Sequence, residues 1–320
     1  MRAAKKSNAI IVSAFIFIST YIFSIWILRY YVGGDQRYYI ALYNSLRYTP
    51  FYAIPETQYN YTGSREPLYG ILMWIFSGLF EKDTVISVVN AIFMSTTSYW
   101  LLRSRVNILF LLLIITNYYI LVLLTSAERL KFAYLFAVLS IVLPPAWRLA
   151  AAACSLLSHF SVMIIFLSTS LPERARLAID SLRAGGLKAL TSIAFLIVIL
   201  SSFAIFYILS RESYTEKIEA YQAYDVMEVA SGALLAAVAL FVSRERLHVL
   251  MMLTLPLIAT FVFGGGRMNM ITATVFVYIV VRESRTGHPL VLLLMAYLSF
   301  KSIGYIDSVL QYGTGFLAAR

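Results

Sequence analysis

Apolar residues run along this chain in long, nearly unbroken stretches. The first lies between Asn8 and Leu28, behind a basic start at Arg2, Lys5 and Lys6. Others cover 67–80, 84–102, 106–125, 128–143, 146–170, 187–209, 229–242, 247–263, 268–281 and 289–303. An apolar helix of roughly 20 residues spans a bilayer, so the pattern predicts an all-α polytopic transmembrane bundle of about 9–11 apolar segments. No internal repeat interrupts it, and a single integral membrane domain over 1–320 is the expectation. Two segments depart from the simple pattern. Segment 67–80 is short and opens on Glu66-Pro67, while 146–170 carries Ser155, Ser158 and His159 at its middle. Both fit re-entrant or broken helices, which a membrane tolerates only where protein or water surrounds the freed backbone. The first run is too long for a signal peptide and ends in Trp26-Ile27-Leu28-Arg29 without a small-residue cleavage site, so it reads as a retained span with its basic start in the cytoplasm.

The longest polar interruption, Arg29 to Glu66, is expected to face outward. Within it Tyr39, Leu42, Tyr43 and Leu46 recur at helical spacing, with Arg37, Asn44 and Arg47 elsewhere on the turn. That spacing predicts an amphipathic helix at the membrane interface within about 30–66. Ten of the chain's 23 tyrosines fall between Tyr30 and Tyr69, and they fit two roles. One is an aromatic belt at headgroup depth; the other is a set of rings with hydroxyl handles for stacking on sugars.

Composition sharpens the picture. Hydrophobic residues make up 60% and charged residues 13%, against roughly 25% charged in a soluble chain. That excludes a soluble enzyme, a disordered tail or a disulfide scaffold. The net charge of +10 is scattered among short loops rather than gathered on one face, so it signals topology and not nucleic-acid binding. Two arrangements divide the basic residues equally well. In the first, 67–80 and 146–170 return to the side they left; in the second, both cross. The first keeps Arg129 and Arg267 on the outer side together. Cys154, the single cysteine, sits in an alanine-rich run, and His159, His248 and His288 show no ligand spacing. No Gly-rich nucleotide loop or serine-nucleophile elbow occurs.

Ionisable groups at the edges of apolar segments carry more information, because burying one at membrane depth is costly. Arg129 and Lys131 open the segment at 128–143, with Ala133 and Ala137 four apart as a close-packing face. Arg267 follows Gly264-Gly265-Gly266 at the expected start of another helix. Glycines permit close backbone approach, and a helix N-terminus favours an anion. His159 lies deep in its segment, where Ser158 and Ser161 are within reach.

The order of these pieces resembles the EpsG-like family of bacterial polysaccharide polymerases, akin in role to the Wzy O-antigen polymerases. An acid and tyrosines follow the first span (Asp35, Tyr38, Tyr39), and Glu66-Pro67-Leu68-Tyr69 opens the next segment. Arg129 then precedes the alanine-bearing helix, His159-Phe160-Ser161-Val162 follows, and Arg267 begins a late span. The likeness covers roughly 35–280, and the run Glu128-Arg129-Leu130-Lys131 departs from it, since a less charged helix start is usual there. The resemblance implies a metal-independent, cofactor-free glycosyltransferase in the bacterial inner membrane. It would move a growing glycan from undecaprenyl diphosphate onto the next lipid-linked repeat unit at the periplasmic face, as in O-antigen, capsule or exopolysaccharide synthesis. Arg129 and Arg267 would hold the diphosphate, and Asp35, Glu66 or His159 would serve as general base. Arg37, Tyr38, Tyr39 and Tyr69 would contact sugar, and a chain-length regulator and a flippase would be partners. A transporter or flippase of lipid-linked sugars, and an integral-membrane acyltransferase centred on His159, are the competing expectations.

Overall fold

The computed structural model describes residues 2–64, 66–183 and 226–315. The apolar run at 187–209 and most of 210–228 lie outside the described residues. Among the described residues there are fourteen α-helices and no strand, which bears out the all-α expectation. They group into two compact units, Met1–Val162 with Thr286–Arg320, and Met163–Arg285.

The first unit begins with α1 (Arg2–Leu28), α2 (Asp35–Leu46), α3 (Ile54–Thr62) and α4 (Pro67–Ser77). Next come α5 (Lys82–Arg103), α6 (Ile108–Ile115), α7 (Tyr118–Thr125), α8 (Glu128–Val142) and α9 (Pro145–Ser158), and α14 (Pro289–Tyr312) completes it. Helices α1 and α5 lie along one another, α5 and α9 flank α8, and α14 closes against α6 and α7. As the spacing predicts, α2 buries Tyr39, Leu42, Tyr43 and Leu46, and Gln36 joins that face. Local chemistry sets the short elements. Pro67 occupies the first turn of α4, where the missing N–H costs nothing. Gly63 ends α3 in the left-handed region at φ 61°. The apolar run at 106–125 is not one helix. It divides because Asn117 accepts a hydrogen bond from the Tyr119 N–H at 2.9 Å and so starts a new helix.

The second unit holds α10 (Met163–Arg183), α11 (Val226–Val242), α12 (Arg246–Phe263) and α13 (Gly265–Arg282). Glu283 accepts from the Arg244 N–H at 2.9 Å, and Arg282 reaches Glu173 at 2.9 Å and His248 Nε2 at 2.7 Å.

Among the described residues, four stretches are long and apolar enough to cross a membrane: Ser7–Leu28, Lys82–Arg103, Arg246–Phe263 and Pro289–Tyr312. The α6–α7 pair, bent by 41°, makes a fifth if counted as one broken span. The chain is a multi-pass membrane protein. Segment 146–170 is broken at His159, between α9 and a short 3-10 turn at Phe160–Val162.

Candidate functional site

Every residue from Leu121 to Leu135 is buried, and this stretch is the core of the first unit. It also carries three charged side chains, Glu128, Arg129 and Lys131, at 0%, 4% and 0% exposure. The chain turns at Ser126–Ala127, so the last carbonyls of α7 have no intrahelical partner. Side chains from three other helices supply what is missing. The Leu124 carbonyl accepts from Asn90 Nδ2 at 2.9 Å and from Lys131 Nζ at 2.7 Å. The Thr125 carbonyl accepts from Gln36 Nε2 at 2.5 Å. Irregular backbone is thereby held inside protein, the condition a membrane imposes on it.

Two ion-pair layers meet at this corner. In the deeper one, Lys82 Nζ lies 2.8 Å from Glu128 Oε1, 2.7 Å from Gln36 Oε1 and 3.3 Å from Asp83 Oδ1. The Tyr69 hydroxyl donates to Glu128 Oε2 at 2.8 Å. In the shallower layer, Arg129 donates through Nη1 to Glu66 Oε2 at 2.6 Å, with Tyr39 OH 3.4 Å from its Nε. Ser64 donates to Glu66 Oε2 at 2.5 Å, and the other carboxylate oxygen, Oε1, meets Nδ1 of His159.

Glu66 stands at the N-cap position of α4, yet its carboxylate makes no capping bond there and turns to Arg129 and His159 instead. Its own carbonyl is tied to Gln58 Nε2 at 3.1 Å. Gly70 makes that tie possible, since a Cβ there would sit 2.2 Å from Gln58 Oε1. Burial alone would raise the Glu66 pKa; the charge of Arg129, with hydrogen bonds from His159 and Ser64, outweighs it and holds the carboxyl well below the usual carboxylate range. The side chains of Glu66 and His159 remain 15% and 12% exposed, whereas that of Arg129 is 5% exposed, so the carboxylate and the imidazole lie nearer solvent than the guanidinium.

His159 reaches Glu66 because the helix ends there. Its backbone is extended (φ −162°, ψ 120°) at the C-cap of α9. The local serines do not satisfy it as the sequence implied: Ser158 donates to the Cys154 carbonyl at 2.8 Å. A carboxylate on Nδ1 fixes the plane of an imidazole and directs proton exchange to Nε2.

Of the residues singled out from sequence, Glu66, Arg129, His159, Tyr39 and Tyr69 converge here. Tyr39 and Tyr69, expected to contact sugar, are 4% and 1% exposed. Their rings pack edge to face at 5.8 Å, and Tyr69 packs on Phe132 at 5.6 Å. Protein fills their faces, so they shape the site wall and are not stacking platforms. Tyr38 is exposed and hydrogen-bonded by Arg37 at 2.9 Å. Asp35 is half-buried at the first residue of α2, where a negative charge suits the helix N-terminus. Arg267 belongs to the second unit, half-buried in the first turn of α13. Of the three glycines before it only Gly264 takes a positive φ, 85°; Gly265 and Gly266 are already helical.

Sequence reading missed Gln36, Lys82 and Asn90, and it took Glu128 for a departure rather than a partner. Its one available signal was the apparent misfit of Glu128 and Lys131 at the head of an apolar segment. No family model, curated protein or solved structure matches the chain.

Proposed function

We propose that this membrane protein is a glycosyltransferase that polymerises polysaccharide repeat units carried on polyprenyl diphosphate, at the outer face of a bacterial cytoplasmic membrane. The observation that carries the reading is the Glu66–His159 pair beside Arg129 at the edge of a buried, charge-lined corner. The acceptor sugar hydroxyl gives its proton to His159 Nε2 as its oxygen bonds to the donor's anomeric carbon. The bond from that carbon to the diphosphate oxygen breaks, and the lipid diphosphate leaves with the electron pair. Glu66 holds the imidazole and stabilises its protonated form. Arg129 has guanidinium N–H groups beyond the one on Glu66, and they face the charge that grows on the leaving group. This division of labour selects His159 as base from the three expected candidates and makes Glu66 its orienting partner. Arg267 belongs to the second unit and takes no part in this mechanism.

The experiment is elongation of lipid-linked repeat units by purified protein in vesicles. Wild type should extend them, and His159→Asn should lose about 100-fold or more, the contribution of a positioned general base. Normal elongation by His159→Asn sinks the mechanism. A carboxylate-held histidine in an apolar segment also fits a membrane acyltransferase. Acyl transfer from acyl-CoA without lipid-linked sugar, lost in the same variant, would establish that second reading in place of the first. Counterflow of intact lipid-linked sugar without bond formation would identify a transporter.

A further inference from the structure

The geometry points to Lys82 and Glu128 as a positioning pair that aims Arg129 at the departing diphosphate, an inference that rests on the transferase reading above. Glu128 and Arg129 are neighbours in the first turn of α8, and their side chains part company: one goes to Lys82 and Tyr69, the other to Glu66. The start of α8 is not set by its own capping. Ala127 has no polar side-chain atom to cap with and sits outside the helical region at φ −96°, ψ 65°. Bonds from Glu128 to α4 and α5 fix that turn instead.

A second route leads from Glu128 to the guanidinium. Tyr69 donates to Glu128, its ring lies against Tyr39, and the Tyr39 hydroxyl meets Arg129 Nε. Gln36 locks the other end, accepting from Lys82 while donating to the Thr125 carbonyl just before the turn. The Lys82 ammonium is taken up by Glu128, Gln36 and Asp83, and both Glu128 oxygens by Lys82 and Tyr69, so neither has a polar atom to spare for a substrate and any effect on turnover passes through Arg129. A buried ion pair adds little stability over an apolar pair of similar volume, whereas it can fix one arrangement of the elements it joins. The Lys82–Glu128 pair is thus a device for geometry, and it accounts for a charged helix start where a less charged one would pack.

The test is the double variant Lys82→Met/Glu128→Gln in the vesicle assay, with thermal stability measured alongside. It leaves no unpaired member of the pair. The expected result is a wild-type KM and a kcat lowered by about 100-fold, since a misplacement near 1 Å costs on that order. Lys82→Arg, which keeps the charge, should retain most of the turnover. Wild-type kcat in the double variant overturns the inference. If the double variant does not fold, Tyr69→Phe, which removes one hydroxyl, decides the matter: kcat lowered at constant KM supports the pair's role, and unchanged kcat overturns it. Failure of the wild type itself to elongate defeats the transferase reading before any variant is compared.

Discussion

Replacing Glu66 by Gln keeps the shape of the side chain and removes one charge. Arg129, 5% exposed, then loses its carboxylate at 2.6 Å and has no place in water to move to. Breaking one partner of a buried pair costs about 3–5 kcal/mol. Glu66 is 15% exposed, which admits some solvent relief and favours the lower end, about 3 kcal/mol. For a protein of this size that corresponds to a drop of roughly 6–12 °C in the unfolding midpoint. The assay is thermal unfolding of the purified protein in detergent or nanodiscs, for wild type, Glu66→Gln, Arg129→Met and the double variant. The double variant should recover a large part of the loss, because the uncompensated guanidinium is gone. A drop of less than about 2 °C in Glu66→Gln, at 2–4 °C per kcal/mol, would show that the pair is not buried in the sense used here.

Further outcomes follow from the same structure. Because the Glu66 pKa is lowered on folding, the stability it confers is complete above the ordinary carboxylate range and is lost as pH falls through the lowered value. Unfolding midpoints of wild type and Glu66→Gln should therefore differ at pH 7 and converge in acid; a constant difference would contradict the linkage. Gly70→Ala should lower the midpoint by an overpacking cost of about 1–3 kcal/mol, its Cβ meeting Gln58 Oε1 and Ile54 Cγ2. Gly304→Ala, in open space on α14, should raise it by up to about 1 kcal/mol. Asn90→Leu removes the bonds to Ser24 and to the Leu124 carbonyl and should cost about 1–3 kcal/mol, again read as a midpoint. In a Cys154→Ala background, Arg103→Cys should react readily with a membrane-impermeant maleimide from one side, whereas Arg129→Cys should resist it from both. Rapid modification at 129 would contradict its burial.

The helices were legible because hydrophobic burial is local in sequence: an apolar run needs no partner to declare itself. The buried face of α2 was legible for the same reason, through the spacing of Tyr39, Leu42, Tyr43 and Leu46. His159 stood out as a polar group in an apolar stretch, and the helix does break there. The division at Asn117 was hidden, since the residues on either side are apolar and only one capping side chain marks the end. The site was half visible. Glu66, Arg129 and His159 were each notable, but their bonds span 63 and 93 residues, and no periodicity encodes such distances. Lys82 was invisible for a related reason. At the head of α5 it looks like an interfacial charge, and only packing turns it inward to Glu128, 46 residues away. Tyr39 and Tyr69 misled in the opposite sense, because a tyrosine-rich outer stretch does not say which rings end up beneath the others.

The charged corner also bears on how the chain enters a bilayer. Arg129 and Lys131, in the first turn of α8, would each oppose insertion of that helix in isolation, by at most about 2.5–3.5 kcal/mol, the cost at a helix centre. Gln36, Glu66, Tyr69 and Lys82 are all synthesised earlier, so the nascent ribosomal product already contains the groups that neutralise Glu128 and Arg129 when α8 emerges. Only His159 arrives afterwards. A truncation that deletes the first five helices, and with them Gln36, Glu66, Tyr69 and Lys82, should therefore stall α8 at the translocon, although α8 itself is intact.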